Sequence, residues 1–210
     1  MEKSFYTRRL TGLALFTAIV VVLQLMGSFI HFGVFSISLV LVPIVVGAAL
    51  YGAMSGAWLG FVFGVTVLLS GDASAFLAVT VPGTIVTVLV KGALAGLCAG
   101  LVYRAVAGRG SDKAHADGKR GISRSDLAVV LAGIVCPIVN TGVFLICCRL
   151  FFYDTVAEWG AALGFKNVVT YMFVGLVGGN FLFELLFNII LSPIIIRIIN
   201  LGQRYMKRRV

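Results

Sequence analysis

Charge is scarce in this chain. Of its 210 residues 12% are Asp, Glu, Lys or Arg, where a water-soluble domain carries about 25%. Acids are the rarer sign, 8 against 17 bases. A long polar region is missing too. The one polar stretch, from Arg104 to Ser125, is rich in Gly, Ser, Asp and Lys and reads as a flexible loop over about 104–125. That leaves no soluble domain in which an ATPase or a catalytic centre would form. No Walker A sequence, H-E-x-x-H, G-x-S-x-G or Asp-rich phosphotransferase motif occurs, so an enzyme is not expected. Cysteine is sparse: Cys98, Cys136, Cys147 and Cys148 lie in apolar runs without metal-ligand spacing. They read as small buried hydrophobes, and neither a metal nor a cofactor is expected.

What fills the chain instead is hydrocarbon: 60% of residues are hydrophobic and the mean hydropathy is +1.07. Several apolar runs approach or exceed the roughly 20 residues that carry a helix across a bilayer. They are continuous rather than alternating, which excludes a membrane β-barrel. The expected fold is all-α: one integral membrane domain over residues 1–210, a bundle of six transmembrane helices. The spans read as Leu10–Gly27, Ile37–Tyr51, Ser55–Leu69, Thr80–Tyr103, Asp126–Arg149 and Val168–Ile196. The first resembles a signal peptide, but its run is too long for a signal core and no A-x-A site follows, so it is expected to be retained.

The net charge of +9 fits the positive-inside rule better than nucleic-acid binding. With six spans, fourteen of the seventeen cations fall on one side: Lys3, Arg8 and Arg9, the loop cations between Arg104 and Arg124, and Arg197, Arg204, Lys207, Arg208 and Arg209. That places both termini in the cytoplasm. The other side has Arg149 and Lys166, with His31, Asp72, Asp154 and Glu158 in its links. Glycines at four-residue spacing, Gly52–Gly56–Gly60–Gly64 and Gly92–Gly96–Gly100, predict close helix packing. Ala14 and Ala18 repeat the spacing in span one; they read either as bundle packing or as a surface for another membrane protein.

Two ionisable residues lie deep, Lys91 in span four and Glu184 in span six. Hydrocarbon disfavours each, so each should face protein or a wet cavity. Lys91 stands thirteen residues before Arg104 and Glu184 thirteen before Arg197, about 20 Å in a helix, so both sit at similar depth. Around them run polar stripes: Thr80, Thr84, Thr87 and Lys91 on span four; Asn180, Glu184 and Asn188 on span six; Asn140 and Thr141 after Pro137 on span five. Two readings stay open. Lys91 and Glu184 pair, with Asn and Thr as interhelical glue; or the stripes converge on a site for a small polar solute. Lys91 would then attract a carboxylate, and Glu184 would accept from an amine, amide or hydroxyl. Phe29, Phe32, Phe35, Phe76, Tyr153 and Trp159 in the outward links would supply a lid or an interfacial belt.

At this point the chain resembles the S components of energy-coupling factor (ECF) vitamin transporters over nearly its whole length. "LTGLALFTAIVVVLQ" looks like the family's first helix, with its A-x-x-x-A at Ala14 and Ala18. "FSISLVLVPIVVGAALYGAMSGAWLGFVFG" resembles the segment in which a Pro precedes a G-P-x-x-G-A turn, here Pro43 and then Gly52, Gly56 and Ala57, with Ala53 where Pro is usual. "VLVKGALAGLCAGLVYR" resembles the fourth helix, above all of pantothenate-type members, where a cation also occurs around Lys91, and "CPIVNTGVFL" their fifth-helix Asn-Thr. The resemblance implies a multi-pass subunit of the bacterial cell membrane. It would capture a water-soluble vitamin from outside, then join a transmembrane T component and two cytoplasmic ATPases, which use the ATP, and topple to release its cargo. It implies that Ala14 and Ala18 contact the T component and that the site lies toward the outside between helices four to six. Pantothenate is the favoured cargo on Lys91, with riboflavin, folate or another vitamin as alternatives; Glu184 is the misfit, because it would repel a carboxylate. The competing readings are a stand-alone secondary transporter with Glu184 as its proton site, and a structural membrane protein without a ligand.

Overall fold

The computed structural model describes residues 2–28, 31–32, 35–36, 39–108 and 124–207, with side chains described for 7, 9–28, 39–108 and 124–202. Phe29, the side chains of Phe32 and Phe35, most of the expected flexible loop and several of the counted terminal cations therefore lie outside the described residues. The elements in order are α1 (Glu2–Gly27), a ribbon of β1 (His31–Phe32) and β2 (Phe35–Ser36), α2 (Leu41–Tyr51), α3 (Ala53–Ser70), α4 (Ser74–Leu77), α5 (Val81–Ala107), α6 (Arg124–Phe151), α7 (Tyr153–Ala162), α8 (Val168–Thr170), a π-helical segment (Tyr171–Leu176) and α9 (Gly178–Lys207). The two strands pair antiparallel, Phe32 opposite Phe35. They are the one departure from the all-α expectation among the described residues.

Among the described residues five helices are long and apolar enough to cross a membrane: Arg9–Gly27, Ala53–Ser70, Val81–Ala107, Arg124–Phe151 and Gly178–Gly202. The sixth expected span is shorter than the sequence suggests. α2 has 11 residues, about 16 Å of helix against a hydrocarbon core of about 30 Å. Pro43 is accommodated in its first turn, where a missing N–H costs little. It ends at Gly52, whose φ of +96° turns the chain directly into α3. α2 is the most enclosed helix, with Leu41, Ile44, Val45, Val46 and Ala48 all buried, and it touches α1, α3, α5, α6 and α9.

The predicted glycine rows meet each other. A Cβ on Gly56 would strike the carbonyl of Gly96, and one on Gly60 the carbonyl of Gly92. One on Gly64 would lie 2.7 Å from the Val88 carbonyl oxygen. α3 and α5 thus run antiparallel with backbones in contact, which only side-chain-free positions allow. α1 attaches at Tyr51: Arg9 donates from its guanidinium to the Tyr51 carbonyl at 2.6 Å, capping the end of α2, and Gly12 abuts the Tyr51 ring.

The last span departs most from expectation. The sequence predicts one helix over 168–196; the chain instead passes through α8 and the π-helical segment, breaks at Val177, and restarts as α9. Gly175, Gly178 and Gly179 explain the weakness. The Tyr171 ring fixes the distortion, since it fills the space beside both Gly175 and Gly160 of α7 and lies 5.3 Å from Phe165.

Two apolar clusters result. One gathers Leu41, Ile44, Leu59, Phe63, Val88, Val129 and Ile195 around α2. The other gathers Phe76, Phe144, Phe152, Val156, Tyr171 and Leu176 beneath α7. A cavity lies where they meet.

Candidate functional site

The cavity offers about 70 Å³ to the centres of water-sized molecules, several times the roughly 10–15 Å³ that holds one water. Its walls come from five helices and the links between them. α3 supplies Phe63 and Val67; α5 supplies Thr84, Thr87, Val88 and Lys91; α6 supplies Asn140, Thr141 and Phe144. Val177, Asn180 and Glu184 come from the break and the start of α9, and Gln24, Asp72, Ala73, Phe76 and Phe152 complete it. Seven of the eight solute-site residues expected from the sequence are therefore brought together.

Asn188 is the eighth, and it does not line the cavity. It lies one turn further along α9, where its Nδ2 donates to the Glu184 carbonyl at 2.8 Å. Its Cβ packs 3.9 Å from the point where Gly133 would carry one. Asn188 thus serves the α6–α9 contact.

Glu184 is 2% exposed. Its Oε1 accepts from Asn180 Nδ2 at 3.1 Å, one turn back on the same helix, and Asn140 lies beside the same carboxylate. Among the described residues Oε2 has no hydrogen-bond partner, and neither has Oδ1 of Asn140. Lys91 does not close on Oε2. Its ammonium stands instead between two rings, 5.1 Å from the centre of Phe144 and 5.8 Å from that of Phe63, where the ring quadrupoles stabilise a cation. Thr84 and Thr87 donate back to the carbonyls of Thr80 and Gly83, each at 2.7 Å, which leaves their oxygen lone pairs as acceptors.

Sequence reasoning missed Gln24 and gave Asp72 no site role. Gln24, 1% exposed near the end of α1, donates from Nε2 to Asp72 Oδ2 at 2.5 Å and so ties α1 to the link after α3. Its signal was a lone amide in an apolar run. Phe63 and Phe144 were missed as well, because aromatic residues in a span carry no mark of their role.

Of the aromatic lid residues, Phe76 is the hub. Its ring meets Phe144 at 5.4 Å, Phe152 at 5.1 Å and Trp159 at 5.4 Å, all edge to face. Trp159 belongs to α7, so the third outward link lies against the aromatic end of the cavity. Tyr153 does not join this set: it pairs with Arg149, whose guanidinium is 4.2 Å from its ring centre. Ala14 and Ala18 lie on the exposed face of α1, not in the bundle interior.

Fold and cavity together define a class: a polytopic helical membrane protein with a chamber between its spans that carries polar and ionisable side chains on a largely apolar wall. Residues 8–199 match the family described as ECF transporter, substrate-specific component, and the chain belongs to that family. No curated protein and no solved structure matches it.

Proposed function

We propose that this chain is the cargo-binding subunit of an ATP-driven importer of the ECF type, holding a water-soluble vitamin or related small metabolite in the chamber between α1, α3, α5, α6 and α9. The observation that carries the reading is the coincidence of a family match over residues 8–199 with a chamber lined by Lys91, Glu184, Asn180, Asn140, Thr141, Thr84 and Thr87. Isolated ionisable groups at such depth mark solute pathways. In this reading the membrane is the bacterial plasma membrane, α2 counts as the sixth membrane segment, and the cation distribution puts both termini in the cytoplasm. A T component and two ATPases complete the importer, with ATP consumed by the partners and no chemistry on the cargo. The T component docks on the exposed face of α1 at Ala14 and Ala18.

The test is extraction of small molecules from the full chain purified out of membranes, with quantification by mass spectrometry. One vitamin-sized molecule per chain is the expected result. Repeated absence of any bound molecule, with no thermal stabilisation across a vitamin panel, contradicts the reading. A stand-alone transporter using Glu184 as a proton site would instead show uptake that follows the proton gradient and survives without ATPase subunits.

A further inference from the structure

Among the described residues three buried side-chain atoms lack a hydrogen-bond partner: Asn140 Oδ1, Glu184 Oε2 and Asn188 Oδ1. All three are acceptors, and the first two belong to residues that line the chamber. Leaving a buried acceptor unsatisfied costs about 1–3 kcal/mol, more for a charged group. Both residues line the chamber, so a solute donor that drew Glu184 Oε2 and Asn140 Oδ1 toward it would satisfy two buried acceptors at once. The formal charges on the wall are those of Asp72, Lys91 and Glu184, one negative charge in excess. Lys91 lies between the Phe63 and Phe144 rings and does not bond Glu184 Oε2. The Phe76, Phe144 and Phe152 rings give the rest of the chamber an apolar, aromatic face.

We infer that the cargo is a small monocation whose nitrogen presents at least two N–H donors, of the protonated amine or amidine kind, to Glu184 and Asn140, with an apolar body against the phenylalanine rings. This rests on the reading of the chain as a cargo-binding subunit, and it displaces a carboxylate cargo such as pantothenate. A carboxylate brings like charge to Glu184 and no donor for the two unsatisfied acceptors, Glu184 Oε2 and Asn140 Oδ1.

Three probes of one outline separate the possibilities: benzamidine, a planar cation with N–H donors; benzamide, neutral; and benzoate, an anion. With the full chain purified in detergent, benzamidine should raise the melting temperature at millimolar concentration, benzamide less, and benzoate not at all. Glu184→Gln should weaken benzamidine binding at least tenfold, the loss expected for a charge-assisted hydrogen bond. Should that variant fail to fold, the ranking of the three probes on the unaltered chain decides alone. Benzoate binding as well as benzamidine overturns the inference. So does the recovery of an anion from the purified chain, which leaves the importer reading standing. Absence of any co-purified molecule together with no response to any probe overturns both.

Discussion

A lysine ammonium inside a helix bundle must recover what it loses in hydration. At Lys91 the rings of Phe144 and Phe63 supply part of that recovery. Phe144 also packs on Phe76, so Phe144→Leu removes a cation–π contact and an aromatic edge at once. A loss of about 1–2 kcal/mol is expected, read as a melting temperature lower by roughly 3–6 °C. Leu69→Ala is the control: Leu69 is 80% exposed, and its change should stay within about 0.5 kcal/mol. Gln24→Leu tests the missed residue, because it removes the donor to Asp72 and leaves the α1 backbone intact. About 1–3 kcal/mol of stability should disappear, measured by thermal unfolding. Seven of the nine polar residues on the chamber wall were legible at this scale, since Lys91, Glu184, the asparagines and the threonines stand out in hydrocarbon. Asn188 obeys the same spacing as Asn180 and Glu184, yet a polar stripe along a helix outruns the cavity it serves. The role of Gln24 was not legible, because its meaning depends on Asp72, 48 residues away.

Among elements, close helix packing was legible in the glycine spacing, because backbones approach only where at least one side lacks a Cβ; that the rows of α3 and α5 face each other, antiparallel, is what the structure adds. Gly60→Val should drive the two helices apart, since even a Cβ at that position meets the Gly92 carbonyl. A loss above about 2 kcal/mol is expected, seen as failure to purify as a monodisperse species or as a large fall in melting temperature. Gly142→Ala in α6 is the contrast. Among the described residues nothing lies within 4 Å of its added Cβ, so the change should be neutral or stabilising by up to about 1 kcal/mol. The break at Val177 was not legible as a break. Its glycines were visible, but the π-helical segment depends on Tyr171 finding room beside Gly160, a residue of another element. α2 was overextended for a related reason: its apolar stretch continues past the turn at which the helix begins, and hydropathy does not record where hydrogen bonding starts.

For the whole molecule, the exposed face of α1 tests the importer reading. Ala14 and Ala18 are exposed with Leu10, Leu15 and Val22 beside them. Ala14→Trp or Ala18→Trp should leave cargo binding unchanged within about twofold and reduce ATP-dependent uptake at least tenfold in cells that hold the partner subunits. Loss of binding itself would show the alanines to be structural. The fused pair α3 and α5 has a further consequence for how such a chamber diversifies. That wall is held backbone to backbone, so its shape is fixed within narrow limits and its substitutions are mostly closed. The opposite wall, from α6 through the π-helical segment to α9, includes a helix already interrupted. Cargo preference should therefore drift along Asn140, Thr141, Val177 and Asn180, and a selection for altered uptake should return its variants from that side of the chamber.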